Sequence, residues 1–151
     1  MSYEYIKNLN LGWDNVYEDS LALSYKIKES NIQFDKIVAI TKGGMFPALI
    51  VASQLKIDYI DTFCIKSYQE KEQQKIQVIK RCCDYFYNEK VLFIDDLTDT
   101  GETIKYIKAF IPGSLFVKFG VLYTKPAGEH LVDFNVESCQ QKTWIIFPWE
   151  Y

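Results

Sequence analysis

The sequence predicts an α/β fold, a mainly parallel sheet flanked by helices on both faces. Three observations carry that reading. Short apolar runs recur at 37–40, 58–65, 91–95 and 115–122. Stretches of helical periodicity alternate with them, as strand–helix–strand units require. Two chemically distinctive groups, Lys42-Gly43-Gly44 and Asp95-Asp96, directly follow apolar runs. They should therefore meet beyond the carboxyl ends of the strands, where such sheets bind ligands.

Taken in order, Asp14 is suited to cap a helix of about 14 residues with Val16, Leu23 and Ile27 on one face. Ile37–Ile40 reads as a short buried strand ending in Thr41-Lys42-Gly43-Gly44. Pro47 suits the first turn of a second helix running through Leu55, and its apolar residues lie nearly all round, which predicts burial. Asp58–Ile65 reads as a strand. Lys66–Lys75 is highly polar and reads as a solvated, mobile loop or ribbon. A strand over 91–95, a helix near 102–111 and a strand over 115–122 follow, then a C-terminal region carrying Trp144 and Trp149.

Composition bounds the class. Residues 1–151 read as one domain, long enough to bury a substantial core. Hydrophobic residues make up 48% and charged residues 25%, which excludes a disordered chain. A net charge of −3 and a pI near 5.2 argue against general nucleic-acid binding. No stretch has the length of a membrane span, and the polar first ten residues lack a signal peptide's apolar centre, so the expected location is cytoplasmic. Cys64, Cys82, Cys83 and Cys139 form no C-x-x-C pair, and His130 has no ligating neighbour at metal spacing; reduced, mostly packed thiols are expected.

The chemistry concentrates in Val91-Leu92-Phe93-Ile94-Asp95-Asp96-Leu97-Thr98-Asp99-Thr100-Gly101-Glu102-Thr103. A buried strand runs into two carboxylates, then a loop of small hydroxyl residues, then a helix start. Acids at a strand's carboxyl end suit ribose hydroxyls and a hydrated Mg²⁺. Unpaired N–H groups at a helix start suit a phosphate. Alone, the acid pair could equally be a solvated turn, and the loop's Thr and Asp residues could simply cap the helix.

This segment resembles the phosphoribosyl-pyrophosphate (PRPP) signature of type I phosphoribosyltransferases. Lys36–Pro47 is similar to that family's pyrophosphate loop, and Lys125-Pro126-Ala127-Gly128 with Thr143–Glu150 is similar to its bacterial xanthine-guanine branch. The resemblance covers roughly residues 34 to 150, with the motifs in consistent order. It implies a flexible lid, a small hood over the base, and a pentosyl glycosyltransferase of purine salvage. A 6-oxopurine (guanine, xanthine or hypoxanthine) and PRPP would give the nucleotide, such as GMP or XMP, and pyrophosphate, with Mg²⁺ as cofactor.

The resemblance also implies roles. Asp95 and Asp96 would hold the ribose and favour a cationic transition state, with Asp96 the metal partner directly or through water. Lys42 and Gly43 would bind pyrophosphate across a cis Lys42–Gly43 peptide. Leu97, Thr98, Asp99, Thr100, Gly101, Glu102 and Thr103 would complete the PRPP site. Asp99 would sit near N7 of the purine and take part in proton transfer. Lys125 would donate to the 6-oxo oxygen, Trp144 would stack on the base, and the Ile145 carbonyl would accept from a 2-amino group. Ser67, Tyr68 and Lys75 would belong to the lid. Related enzymes carry Arg where this chain has Lys42, and Lys supplies charge without a bidentate fork. They carry a basic residue where this chain has Gln74, a role open to Lys75 or Lys71.

A homodimer or homotetramer is implied, with peripheral association at the inner membrane face left open. Two alternatives keep the PRPP site: a transferase for another base, and a non-catalytic PRPP-binding regulator. A phospho-accepting receiver domain also carries an acid pair and a Lys, but its pair follows the first strand, which residues 95–96 do not.

Overall fold

Val91, Leu92, Phe93 and Ile94 have no accessible surface, because they form the middle of a central strand covered on both sides. The computed structural model describes residues 4–70, 73–82, 88–113 and 115–151. Among these, the elements run β1 (Lys7–Asn10), α1 (Trp13–Glu29), β2 (Lys36–Thr41), α2 (Met45–Leu55), β3 (Ile60–Glu70), β4 (Gln73–Lys80), β5 (Lys90–Thr98), α3 (Glu102–Phe110), β6 (Phe116–Thr124), β7 (Phe134–Ser138) and β8 (Thr143–Ile146). Single 3-10 turns lie at Glu129–Leu131 and Pro148–Glu150.

Six strands form one sheet in the order β4-β3-β2-β5-β6-β7, and only the β3–β4 pair is antiparallel. Alternation along β2 and β5 divides the core into two layers. Ile37, Ala39, Leu92 and Ile94 pack with Val16, Leu23 and Ile27 of α1 and Ala48, Val51 and Ala52 of α2. Val38, Ile40, Val91 and Phe93 pack on the other face with Ile104 and Ile107 of α3 and with Phe119. Helices thus cover both faces, as expected.

Several boundaries differ from the sequence reading. Gly12, not Asp14, is the N-cap of α1; its N–H donates to Asn15 Oδ1 at 2.9 Å, and Asp14 lies in the first turn, where its charge faces the positive helix end. Helix α2 is not wholly buried: Pro47, Ala48, Val51 and Ala52 face the sheet, while Met45, Phe46 and Leu49 are exposed. Of the polar stretch 66–75, residues 66–70 and 73–75 lie in an antiparallel ribbon, one of the two forms expected, with Tyr68 opposite Lys75, and β3 continues well past Ile65. Lys71 and Cys83 lie outside the described residues. Cys64 and Cys139 are free thiols.

A second, two-stranded sheet pairs β1 in parallel with β8, Lys7 opposite Thr143 and Leu9 opposite Ile145. An aromatic ladder anchors the segment after β8. The Trp149 ring stacks on Phe147 at 4.8 Å and on Phe46 at 5.6 Å, and Phe46 meets Trp13 edge-on at 4.6 Å.

Candidate active site

The parallel register brings the carboxyl ends of β2, β5 and β6 to one edge. A cleft of about 330 Å³ opens there, lined by residues 95–104, Lys125, Trp144 and Ile145, with Tyr5, Ser67, Phe147 and Glu150 completing its rim. Most residues singled out from the sequence therefore share one cavity.

At its floor, Asp95 and Asp96 are partly buried neighbours. Burial, then repulsion from Asp96, holds the Asp95 carboxyl well above the usual carboxylate range. Burial likewise pushes Asp96 up to about 6. Two carboxylates that resist ionisation side by side suit a cation. Among the described residues no group of three or more His, Cys, Asp or Glu could hold a metal. An all-oxygen pair of this kind fits Mg²⁺, which keeps its waters and takes further oxygens from substrate phosphates.

The glycine turn after β2 reaches the same carboxylates from the side. Gly44 N–H donates to Ile40 O at 2.8 Å, which folds the chain sharply back at the strand end. A Cβ on Gly43 would overlap the Asp96 carboxylate, so any other residue there would force Asp96 or the turn to shift. The cis peptide is Thr41–Lys42, not Lys42–Gly43, since the turn begins at the strand's last residue. Lys42 is exposed and does not line the cleft in this conformation.

Above the acid pair, residues 98–101 turn into α3. Gly101 takes φ 82° at the N-cap, a left-handed conformation that L side chains disfavour. Gly101 supplies no side-chain cap; the Glu102 N–H makes only a long contact to Thr100 Oγ1 at 3.5 Å, and the N–H groups of this helix start can turn to an anion. Thr98 Oγ1 is buried without a hydrogen-bond partner among the described residues. A buried hydroxyl left unpaired costs about 1–3 kcal/mol, and a phosphate oxygen would relieve it.

Asp99 is the most heavily bonded group in the cleft. Its Oδ2 accepts from Lys125 Nζ at 2.8 Å and from Tyr5 OH at 3.3 Å, and its Oδ1 accepts from Gln141 Nε2 at 2.6 Å. Gln141 is fixed in turn, because its Oε1 accepts from the Ala127 N–H at 2.9 Å. Lys125 is almost fully buried, with its side chain 1% exposed, and its backbone N–H donates to Thr98 O at 3.0 Å. Its ammonium has three donor hydrogens, so it can hold Asp99 and still donate elsewhere. The Trp144 side chain is exposed, while Ile145 is buried.

Of the expected lid residues, Ser67 lines the cleft and Tyr68 stands exposed on the ribbon beside it, paired with Lys75. His130 is an exposed residue of a 3-10 turn, outside the cleft. The sequence reading missed Tyr5 and Gln141. Both reach Asp99 by long-range folding: Tyr5 precedes β1, and Ile6 N–H donates to Lys142 O at 3.0 Å. Burial and the Asp99 carboxylate push the Tyr5 phenol up, so it remains a neutral donor.

Known proteins resemble the chain along nearly its whole length. The family described as "Phosphoribosyl transferase domain" matches residues 12–151. The chain is 42% identical over 150 residues to a xanthine-guanine phosphoribosyltransferase of Desulfotalea psychrophila, covering 99% of this chain and 91% of that one. Among solved structures, a purine phosphoribosyltransferase from Pyrococcus horikoshii superposes with a TM-score of 0.80 at 25% identity, covering 97% and 96% of the two chains. A xanthine-guanine-hypoxanthine phosphoribosyltransferase of Helicobacter pylori gives a TM-score of 0.74 at 17% identity, covering 95% and 93%, and speaks for the fold.

Proposed function

The chain belongs to the phosphoribosyltransferase family, and from that premise we propose that it is a purine salvage enzyme joining a 6-oxopurine to PRPP. The observation that carries the reading is the Lys125–Asp99 pair at 2.8 Å, set in the same cleft as Asp95-Asp96 and the start of α3. A base pocket and a sugar-phosphate pocket are then contiguous.

In this reading the 5′-phosphate of PRPP sits on the 98–103 loop and the ribose hydroxyls face Asp95 and Asp96. Lys42 and Gly43 bind the pyrophosphate. The Ser67–Tyr68 end of the ribbon excludes water that would otherwise hydrolyse PRPP. Mg²⁺, held by Asp96 and the substrate's own oxygens, would neutralise charge on the leaving pyrophosphate. The ribose C1–oxygen bond breaks, and N9 of the base bonds to C1. Positive charge builds on the ribose between these events, and the two aspartates stabilise it electrostatically.

Lys125 donates to the 6-oxo oxygen, Trp144 stacks on the ring, and the Ile145 carbonyl takes a 2-amino group. The purine sheds a proton on becoming a nucleotide. Asp99, beside N7, can receive it, and Gln141 fixes the orientation of that carboxylate. A homo-oligomer is part of the same reading, supported by the exposed apolar side of α2, Met45, Phe46 and Leu49. So is a cytoplasmic location; among the described residues no helix is long and apolar enough to cross a membrane.

The test is pyrophosphate release from PRPP and Mg²⁺ with guanine, xanthine, hypoxanthine, adenine and uracil in turn. Turnover of at least one 6-oxopurine, abolished by excess chelator, is expected. No turnover with any purine would sink the reading, and full turnover in chelator would remove the metal from it.

A further inference from the structure

We infer that Tyr5 is a placeholder for the purine, occupying the base pocket in the unliganded protein and competing with the incoming base. The inference rests on the purine reading above and concerns the same pocket. Tyr5 engages all three side chains assigned to the base. Its hydroxyl donates to Asp99 Oδ2 at 3.3 Å, the oxygen that also takes the Lys125 ammonium. Its ring lies 4.9 Å from Lys125 Nζ, in cation–π range. Its ring centroid is 4.7 Å from that of Trp144, with the planes at 69°.

That last geometry distinguishes a placeholder from a second wall. Two rings that clamp a base between them stand parallel and roughly 7 Å apart, two contact distances of about 3.5 Å each. Tyr5 and Trp144 are too close and too nearly perpendicular to admit a purine between them. The phenol also takes the partners a base would take: an aromatic ring against Trp144, π density toward the ammonium in place of the 6-oxo oxygen, and an O–H donor to Asp99 where a purine would bring N7–H. A base that takes those partners must move Tyr5 away. The residue can move because it is 38% exposed and precedes the first paired residue of β1, so its displacement need not break the β1–β8 ladder.

The experiment compares Tyr5→Phe and Tyr5→Ala with the unaltered protein, measuring KM for guanine at saturating PRPP and KM for PRPP at saturating guanine. Removing the competitor should lower KM for guanine about three- to ten-fold in Tyr5→Ala, the scale of one aromatic pair. Tyr5→Phe, which keeps the ring and loses the hydroxyl, should fall between. KM for PRPP should stay within about two-fold, since among the described residues the polar and ring contacts of Tyr5 run to the three side chains assigned to the base. An unchanged or raised KM for guanine, with normal KM for PRPP, overturns the placeholder and leaves the purine reading standing. An unaltered protein that turns over no 6-oxopurine overturns the purine reading itself, and the placeholder with it.

Discussion

Lys125→Met separates two tasks assigned to one ammonium. Methionine keeps an unbranched stem of similar length in a site where the lysine side chain is 1% exposed, so little packing is lost. What disappears is the charge 2.8 Å from Asp99 Oδ2. Stranding a fully buried charge costs about 3–5 kcal/mol. Asp99 escapes that figure, because its side chain is 29% exposed and keeps the donors Gln141 and Tyr5. The cost should instead approach that of one charged hydrogen bond, about 1.5–3 kcal/mol, a fall in Tm of roughly 3–12 °C for a chain of this size. The base loses a donor to its 6-oxo oxygen in the same stroke. Guanine kcat/KM should fall about 10- to 150-fold. Adenine, whose 6-amino group never satisfied the ammonium, should change little. The assay is kcat/KM for guanine and adenine with a thermal melt of each protein. An unchanged guanine-to-adenine ratio would falsify the pocket assignment, and an unchanged Tm would contradict the ion-pair argument.

Three further outcomes follow from the same geometry. Asp99→Asn must turn an amide N–H₂ toward one of three donors, and it cannot receive the base's proton; single-turnover kcat should drop roughly 10²-fold with PRPP affinity largely intact, and a normal single-turnover rate removes Asp99 from catalysis. Gly43→Ala drives a methyl into the Asp96 carboxylate and should raise KM for PRPP by roughly ten-fold or more while costing about 1–3 kcal/mol of stability; wild-type behaviour would mean that the turn shifts freely. Burial raises the Asp19 carboxyl, and Glu137 and Glu18 add to the effect against the opposing Tyr123 hydrogen bond. The contribution of its neutral form is thus fully present below the unfolded pKa near 3.9 and lost as pH rises through the higher folded value. Asp19→Asn, which keeps an acceptor for Tyr123 OH, should therefore raise Tm at pH 7 by roughly 1–3 °C and lose that advantage at pH 4; a gain of equal size at both pH values would refute the titration argument.

The parts of this fold that sequence made legible are those where one physical signal dominates. Strands β2, β5 and β6 are buried on both faces, so their residues form apolar runs that alternation cannot disguise. The acid pair and the glycine turn were legible because each abuts such a run. The β3–β4 ribbon was only half legible: its far end carries polar side chains such as Lys66, Ser67 and Gln77, and pairing there rests on backbone hydrogen bonds rather than an apolar face. Helix α2 read as buried because its exposed side is as apolar as its packed side. Tyr5 and Gln141 carry no local pattern at all; their place at Asp99 comes from contacts between residues far apart in sequence, which periodicity cannot report.

The β1–β8 pairing has a consequence for the order of assembly during synthesis. Residues 7–10 find their partners at 143–146, so that ladder cannot close until residues 143–146 have left the ribosome. The neighbouring strands of the six-stranded sheet have shorter connections to close, and the acid pair, the glycine turn and the start of α3 depend only on them. A nascent chain stalled before residue 140 would therefore hold Asp95, Asp96, Asp99 and Lys125 but lack Trp144 and Ile145, which pair with Asn8 and Leu9. The groups that read the base's polar edge would be laid down with the sugar-phosphate site, and the ring that stacks on its face would come last.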